Sequence, residues 1–353
     1  CLIVGSGLAG LSFAETLYQN GRSFKIISDD SQQASEVAGG LYNPLILKRF
    51  TLAVNAAEQL DIAMPFYRNI ETRLGVTFDY KQEVLRILHD AAEQNRWFES
   101  RDRKGYSRFM LEEFVDSPNA AVSAPFKLAK VLETGRVDTA AFRKAYTQWL
   151  KSEDHLVSER FDYAQLKLAA STATYKQFEA KYVVFAEGFG LKQNPYFNYL
   201  PLQGSKGELL TIYAPKLQLQ SVVKSSVFVI PLGDHYYRVG ATYDNHQLNN
   251  HPTDAAKGYL LERLKRFLKV DFEVVAHVAG VRPSVSDRKP LVGQHPQYPV
   301  LQVLNGLGSR GVMIAPYAAK ALYRNLFEGT PLDDYLTIQR FAARFEPPQD
   351  HNE

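Results

Sequence analysis

The chain opens Cys1-Leu2-Ile3-Val4-Gly5-Ser6-Gly7-Leu8-Ala9-Gly10-Leu11-Ser12-Phe13-Ala14. Cys1 to Val4 is a short apolar run, and Gly5-Ser6-Gly7-Leu8-Ala9-Gly10 fits the pattern G-x-G-x-x-G. Leu11, Phe13, Ala14, Leu17 and Tyr18 then recur at helical spacing, up to a stop at Asn20-Gly21. Phe24 to Ile27 reads as a second strand. Strand, glycine turn, helix and strand make the start of a βαβ unit, which is the context in which this motif holds a dinucleotide. The first glycine permits the tight turn, the second lets a pyrophosphate approach the backbone, and the third lets helix and strand pack closely. The helix N-terminus then offers N–H groups and a partial positive charge to the phosphates. An acidic residue should end the second strand to hold the adenosine ribose. Ser28 stands there instead, followed by Asp29 and Asp30, so Ser28 or Asp29 is the candidate ribose contact.

Outward from this start, residues 52–75 read as a helix with Pro65 inside it, which predicts a kink or two helices meeting there. Val84 to Leu88 is a strand, and Asp138 to Leu150 is helical. Lys181 to Ala186 reads as a buried parallel strand. Glu208 to Tyr213, Val222 to Ile230 and Tyr236 to Ala241 alternate like antiparallel strands, with a hairpin turn at Gly233-Asp234. A helix over 254–268 and a strand from Phe272 to Ala279 follow. Val300 to Leu304 is one more buried strand. It leads into a second glycine turn, Gly306 to Gly311, and the long helix Val312 to Phe327. Parallel α/β material thus lies at the start, middle and end, with antiparallel material between. The fold class is α/β (α+β overall), a Rossmann-like domain with an inserted antiparallel-sheet domain. Residues 1–75, 132–200 and 282–353 are expected to form the dinucleotide-binding domain, and 76–131 and 201–281 the substrate domain.

Composition narrows the function. The chain has 353 residues, 45% hydrophobic and 22% charged, which is ordinary globular usage and excludes disorder. Lys and Arg number 41 against 38 Asp and Glu, and a net charge of +3 is too balanced for a dedicated DNA binder. Cys1 is the only cysteine, so neither an internal disulfide nor a cysteine-rich zinc module is available. The eight histidines show no metal spacing, and no metal is expected. No stretch of eighteen apolar residues exists, so no membrane span is expected, and a cytoplasmic location is the default. No separate NAD(P)H domain is expected, so electrons must come from the organic substrate and leave to oxygen or a carrier.

Three further segments stand out. Ala34-Ser35-Glu36-Val37-Ala38-Gly39-Gly40-Leu41-Tyr42-Asn43-Pro44 is rich in small residues, which let backbone approach a planar ligand, although an ordinary connection would look the same. Gly280-Val281-Arg282-Pro283 precedes Asp287-Arg288-Lys289-Pro290-Leu291-Val292-Gly293. Gly306-Leu307-Gly308-Ser309-Arg310-Gly311, just before Val312 and the last helix, repeats the meeting of a glycine turn with a helix N-terminus.

Together with the opening, these segments and the strand Phe228 to Thr242 resemble the FAD-dependent D-amino acid oxidase, glycine oxidase and sarcosine oxidase family, from Leu2 to about Phe327. The last motifs look most like the oxidase domain of the enzyme that builds methylaminomethyl-uridine in tRNA. The resemblance implies FAD, held in extended form. The absence of histidine from residues 28–45, with Cys1 at the wrong place, implies non-covalent attachment. It implies oxidation of a carboxylate-bearing, glycine-, sarcosine- or D-amino-acid-like amine by hydride transfer to the flavin, followed by imine hydrolysis. Arg282 falls at the position that holds the substrate carboxylate, Arg310 beside the flavin's pyrimidine end, and Lys48 near a desolvated lysine of the tRNA-enzyme subgroup. Ala186-Glu187-Gly188 matches the crossing under the pyrophosphate, where Glu187 departs from the family's small residue. Phe161 falls near the adenine. Two rivals stand beside this reading. One is an oxidase acting on a glycine-like modification of tRNA, whose tRNA-binding partner domain is absent from this chain. The other is an FAD-holding protein without turnover.

Overall fold

The computed structural model describes residues 1–29 and 31–347, and Asp30 lies outside them. The chain divides into two compact units. The first comprises Cys1–Glu36, Ala140–Ser205 and Arg282–Glu353, and the second Val37–Thr139 and Lys206–Val281.

The first unit is built on a six-stranded sheet in the order Leu156–Ser158, Lys25–Ser28, Leu2–Val4, Val183–Phe185, Leu301–Asn305, Leu291–Gln294. All neighbours run parallel except the last pair, which is antiparallel. The four inner strands are nearly continuous apolar runs, as strands covered on both faces must be. Helices Leu8–Gln19 and Gly311–Glu328 pack together, close enough that a Cβ on Gly311 would lie 3.1 Å from Leu8 Cδ1. Leu2, Val4, Ile27, Val183, Phe185, Leu301 and Val303 carry the unit's core.

The second unit holds an eight-stranded sheet in the order Glu273–Val285, Leu202–Tyr213, Tyr236–Gly240, Phe228–Gly233, Val222–Lys224, Val84–Ile87, Leu128–Val131, Met110–Val115. It is not wholly antiparallel, because Val222–Lys224 runs parallel to Val84–Ile87. The hairpin between Phe228–Gly233 and Tyr236–Gly240 turns through Asp234 and His235, both at positive φ, the geometry that suits the twist of the flanking strands. Helix Ala56–Leu74 continues through Pro65 as one element and ends at Gly75 in the left-handed region.

The boundaries differ from the sequence expectation. Residues 37–75 and 132–139 lie in the second unit, not with the nucleotide-binding sheet. Pairing explains the placement: Gly135 and Arg136 pair with Tyr42 and Leu41, and Leu45, Leu47 and Phe50 enter a core with Val84, Trp97 and Val131. Two-residue strands such as Leu41–Tyr42 carry no readable periodicity, so this partnership leaves no trace in the pattern.

Candidate functional site

The glycine turn of the first unit has the shape its motif demands. Gly5 sits at φ +104°, and a Cβ there would come within 2.5 Å of the Ala186 carbonyl oxygen. A Cβ on Gly10 would overlap the Gly5 carbonyl oxygen. Both glycines are therefore required by the fold itself. Gly7 differs: the nearest atom to a Cβ there is Ser35 Oγ at 3.4 Å. That side of the turn is open, and Gly7 is the place where an approaching group, not the protein, needs the missing side chain.

Helix Leu8–Gln19 starts immediately after, with no acidic residue in its first turn to occupy its positive end. Ser35 Oγ accepts from Leu8 N at 3.2 Å, so Ala34-Ser35 is tied to the helix start. Arg143 was not singled out in the sequence, yet its Nε donates to Ser6 O at 3.2 Å and its Nη1 pairs with Glu36. It clamps the turn from helix Thr139–Ser152. No spacing signal marks it, because a helical arginine usually reads as a solvated one.

At the end of the second strand, Ser28 Oγ lies 2.9 Å from Ser6 Oγ. Asp29 is exposed, and its Oδ1 accepts from Ser31 N at 3.0 Å, closing a small turn. Glu187 follows strand Val183–Phe185 and is half-buried. Its carboxyl accepts from Asn194 Nδ2 at 2.8 Å and from the Tyr163 hydroxyl. Burial pushes it up to about 7, the nearby Asp29 charge adds to this, and the two hydrogen bonds oppose it. Neither Asn194 nor Tyr163 was identifiable from the sequence. Gly188 O accepts from Asn305 Nδ2 at 3.0 Å, which links this crossing to the end of strand Leu301–Asn305.

The second glycine turn follows Asn305. Gly306 and Gly308 both take positive φ, and residues Gly308–Arg310 form one tight turn leading into helix Gly311–Glu328. Leu307 and Val312 are buried, Ser309 is exposed and Arg310 half-buried. Arg282 is half-buried as well, with Nη1 3.5 Å from Ser205 O.

Three of the expected contact segments are placed as follows. Lys48 is exposed on the turn joining Leu45–Ile46 to Thr51–Leu52. Phe161 is only 7% exposed and stacks on Tyr175 at 4.3 Å, edge-on to Phe185, so its ring is core packing. In the second unit, Gly39 and Gly40 are closely approached by protein: a Cβ on Gly40 would overlap Val137 O, and one on Gly39 would lie 3.2 Å from Ile230 Cδ1. Packing alone accounts for both glycines, and the half-buried Leu41 pairs with Arg136.

Among the described residues, no group of three His, Cys, Asp or Glu side chains comes together to hold a metal ion, and no helix is long and apolar enough to cross a membrane. The open glycine turn, at a helix start with no acidic residue in its first turn, is the cradle an FAD diphosphate fits.

Comparison with known proteins gives the family. The FAD dependent oxidoreductase (DAO) family matches residues 1–324. The glycine oxidase of Pseudomonas aeruginosa is 24% identical, with 91% of this chain and 93% of that protein covered. The tRNA 5-methylaminomethyl-2-thiouridine biosynthesis bifunctional protein MnmC of Aromatoleum aromaticum is 25% identical over 98% of this chain, which spans 59% of that longer relative. Among solved structures, iminodiacetate oxidase from Chelativorans sp. has a TM-score of 0.78 at 19% identity, covering 95% of this chain and 98% of that one. Glycine oxidase from Bacillus cereus has a TM-score of 0.76 at 20% identity, covering 94% and 95%. The chain belongs to the DAO family of FAD-dependent oxidoreductases.

Proposed function

We propose that this oxidoreductase oxidises an amine that carries a carboxylate, of the glycine, sarcosine or D-amino-acid kind. The observation that carries the reading is Arg282: a half-buried guanidinium in the Gly280-Val281-Arg282-Pro283 segment, at the position where the resembling family holds its substrate carboxylate. A guanidinium pairs a carboxylate through two parallel N–H bonds, which fixes orientation as well as affinity. Two relatives of the fold are named for amine substrates of this class, glycine and iminodiacetate.

When bound, FAD supplies the hydride-accepting chemistry, and the protein supplies position and charge. The open side of Gly7 and the start of helix Leu8–Gln19 hold the diphosphate, and Ser28 or Asp29 the ribose. Ala34-Ser35 and Ala186-Glu187-Gly188 border it. Arg310 and the start of helix Gly311–Glu328 bring positive charge to the flavin's pyrimidine end. Arg282 orients the substrate's α-carbon by its carboxylate. An amine that binds neutral requires no side-chain base, and the imine product hydrolyses in water. The attachment of FAD is non-covalent. Arg282→Ala should raise the apparent KM for a carboxylate amine about 100-fold, as loss of a charged bidentate pair does. An unchanged KM removes the anchoring role.

A second reading places the amine on a tRNA, favoured by similarity across 98% of this chain to a protein named for tRNA modification. A net charge of +3 is weak for that partner. Salt-dependent binding of the protein to tRNA would favour this reading.

A further inference from the structure

In the first unit, strand Leu2–Val4 lies between Lys25–Ser28 on one side and Val183–Phe185 on the other. Ligands of such parallel sheets bind in the crevice outside the carboxyl ends of the strands, at the point where the strand order reverses. Glu187 stands at that mouth, since a Cβ on Gly5 would lie 3.3 Å from Glu187 Cα. The loop after Lys25–Ser28 meets the same segment, because a Cβ on Gly190 would lie 3.4 Å from Gln32 Nε2. Ser28 joins from its own strand end, with its Oγ 2.9 Å from Ser6 Oγ. The segment that carries Glu187 and the strand end that lacks an acidic residue therefore flank the same Gly5-Ser6 turn.

The carboxyl of Glu187 is held in place from two sides. Asn194 Nδ2 donates to Oε2 at 2.8 Å, and the Tyr163 hydroxyl donates to Oε1. Tyr163 follows strand Leu156–Ser158, which lies on the far side of Lys25–Ser28. Its hydrogen bond to Glu187 therefore reaches across the ends of the intervening strands. An ionised carboxyl accepts about four hydrogen bonds, so each oxygen keeps room for one more donor. Among the described residues no cation pairs with this carboxyl. A buried carboxylate is costly unless donors complete it, and the two hydroxyls of a ribose are such donors.

We propose that Glu187 supplies the carboxylate that the end of the second strand lacks: it accepts one hydroxyl of the FAD adenosine ribose, and Ser28 or Asp29 meets the other. The assignment rests on FAD binding alone and is independent of which amine is oxidised. It carries a proton linkage. The ionised carboxyl accepts ribose donors better than the protonated one, so FAD binding draws the proton off Glu187. Burial pushes this carboxyl up to about 7 and the Asp29 charge adds to it, so the ionised form is the minority at pH 6 and the majority at pH 8. Arg160 is the other charged group here. Its charge acts on Tyr163, and its Nη2 donates to Gln193 Oε1 at 3.3 Å.

The test is competition against FAD on the full-chain apoprotein, read by flavin fluorescence, with ADP and 2′,3′-dideoxy-ADP at pH 6 and pH 8. The two competitors carry the same phosphates, so the ratio of their affinities isolates the ribose hydroxyls. In the wild type ADP should bind the more tightly at pH 8, and its margin should shrink about tenfold at pH 6, as protonation of a group titrating near about 7 requires. Glu187→Gln should cut the pH 8 margin about tenfold and make it independent of pH. Glu187→Ala should do the same, which guards against a new contact from the glutamine amide. The wild-type comparison between pH 6 and pH 8 needs no variant, so it stands even where a substitution disturbs folding. A Glu187 that only ties Tyr163 to Asn194 would leave the margin equal in wild type and variants. That result, a wild-type margin unchanged between pH 6 and pH 8, or ADP that fails to compete with FAD at all, would each overturn the assignment.

Discussion

The carboxyl of Glu187 accepts the Asn194 side-chain amide at 2.8 Å, immediately beside the Gly5 turn whose backbone meets Ala186. A charged group therefore stands where the resembling family has a small residue, and burial holds it near about 7.

This pair predicts a pH dependence. The folded state binds the Glu187 proton more tightly than the unfolded chain, where the ordinary value is 4.5. The stabilisation is full below 4.5 and is lost as pH rises to about 7. Glu187→Gln should raise the melting temperature at pH 8 by about 3 °C, and the gain should vanish near pH 4. Differential scanning calorimetry across that range checks it. A gain equal at both ends would contradict the buried carboxyl.

His295 works in the opposite sense. It sits among Tyr196, Phe197, Tyr298 and Phe345, and burial lowers it from 6.5 to about 4. Its stabilisation is present above 6.5 and is lost as pH falls toward 4. The two windows overlap with opposite slopes, so wild-type stability should be nearly flat between pH 4.5 and 6.5. Glu187→Gln should unmask a loss on acidification through that interval, and a flat profile in the variant would exclude His295 as its source.

Two glycines of the opening turn should separate in their effects. Gly10→Ala drives a methyl into the Gly5 carbonyl and should prevent stable folding. Gly7→Ala meets only Ser35 Oγ, so the apoprotein should keep its melting temperature while FAD affinity falls about tenfold or more. Fluorescence titration of apoprotein with FAD reads the second effect. Equal losses of stability in both variants would show that Gly7 serves packing.

Arg143→Ala should weaken FAD binding about tenfold by releasing Ser6 O and Glu36, since a charge-assisted hydrogen bond contributes about 1.5 kcal/mol. The same titration checks it. Acid precipitation should release all of the flavin into solution, as non-covalent attachment requires, and colour left in the pellet would show a covalent bond.

Much of the first unit was legible because its signals are local. The apolar run Leu2–Val4, the glycine spacing and the periodicity of Leu8–Gln19 each lie within a dozen residues. The glycine turn before Gly311–Glu328 was legible for the same reason. What escaped depends on distant partners. Arg143 reaches Ser6 across 137 positions, and Gly135 and Arg136 pair with Tyr42 and Leu41 across more than ninety. The exposure of Lys48 and the stacking of Phe161 on Tyr175 are tertiary facts, invisible in a motif. The parallel step between Val84–Ile87 and Val222–Lys224 is likewise a long-range pairing that alternation does not encode.

The central claim is that the loaded protein takes electrons from a carboxylate-bearing amine. The direct measurement is the visible spectrum of the purified flavoprotein under anaerobic conditions, before and after addition of glycine, sarcosine, proline, D-amino acids or iminodiacetate. The account predicts that at least one of these bleaches the oxidised flavin band, with Arg282→Ala requiring far more of the same amine. A flavin that dithionite reduces but that stays oxidised with every one of these amines would contradict it.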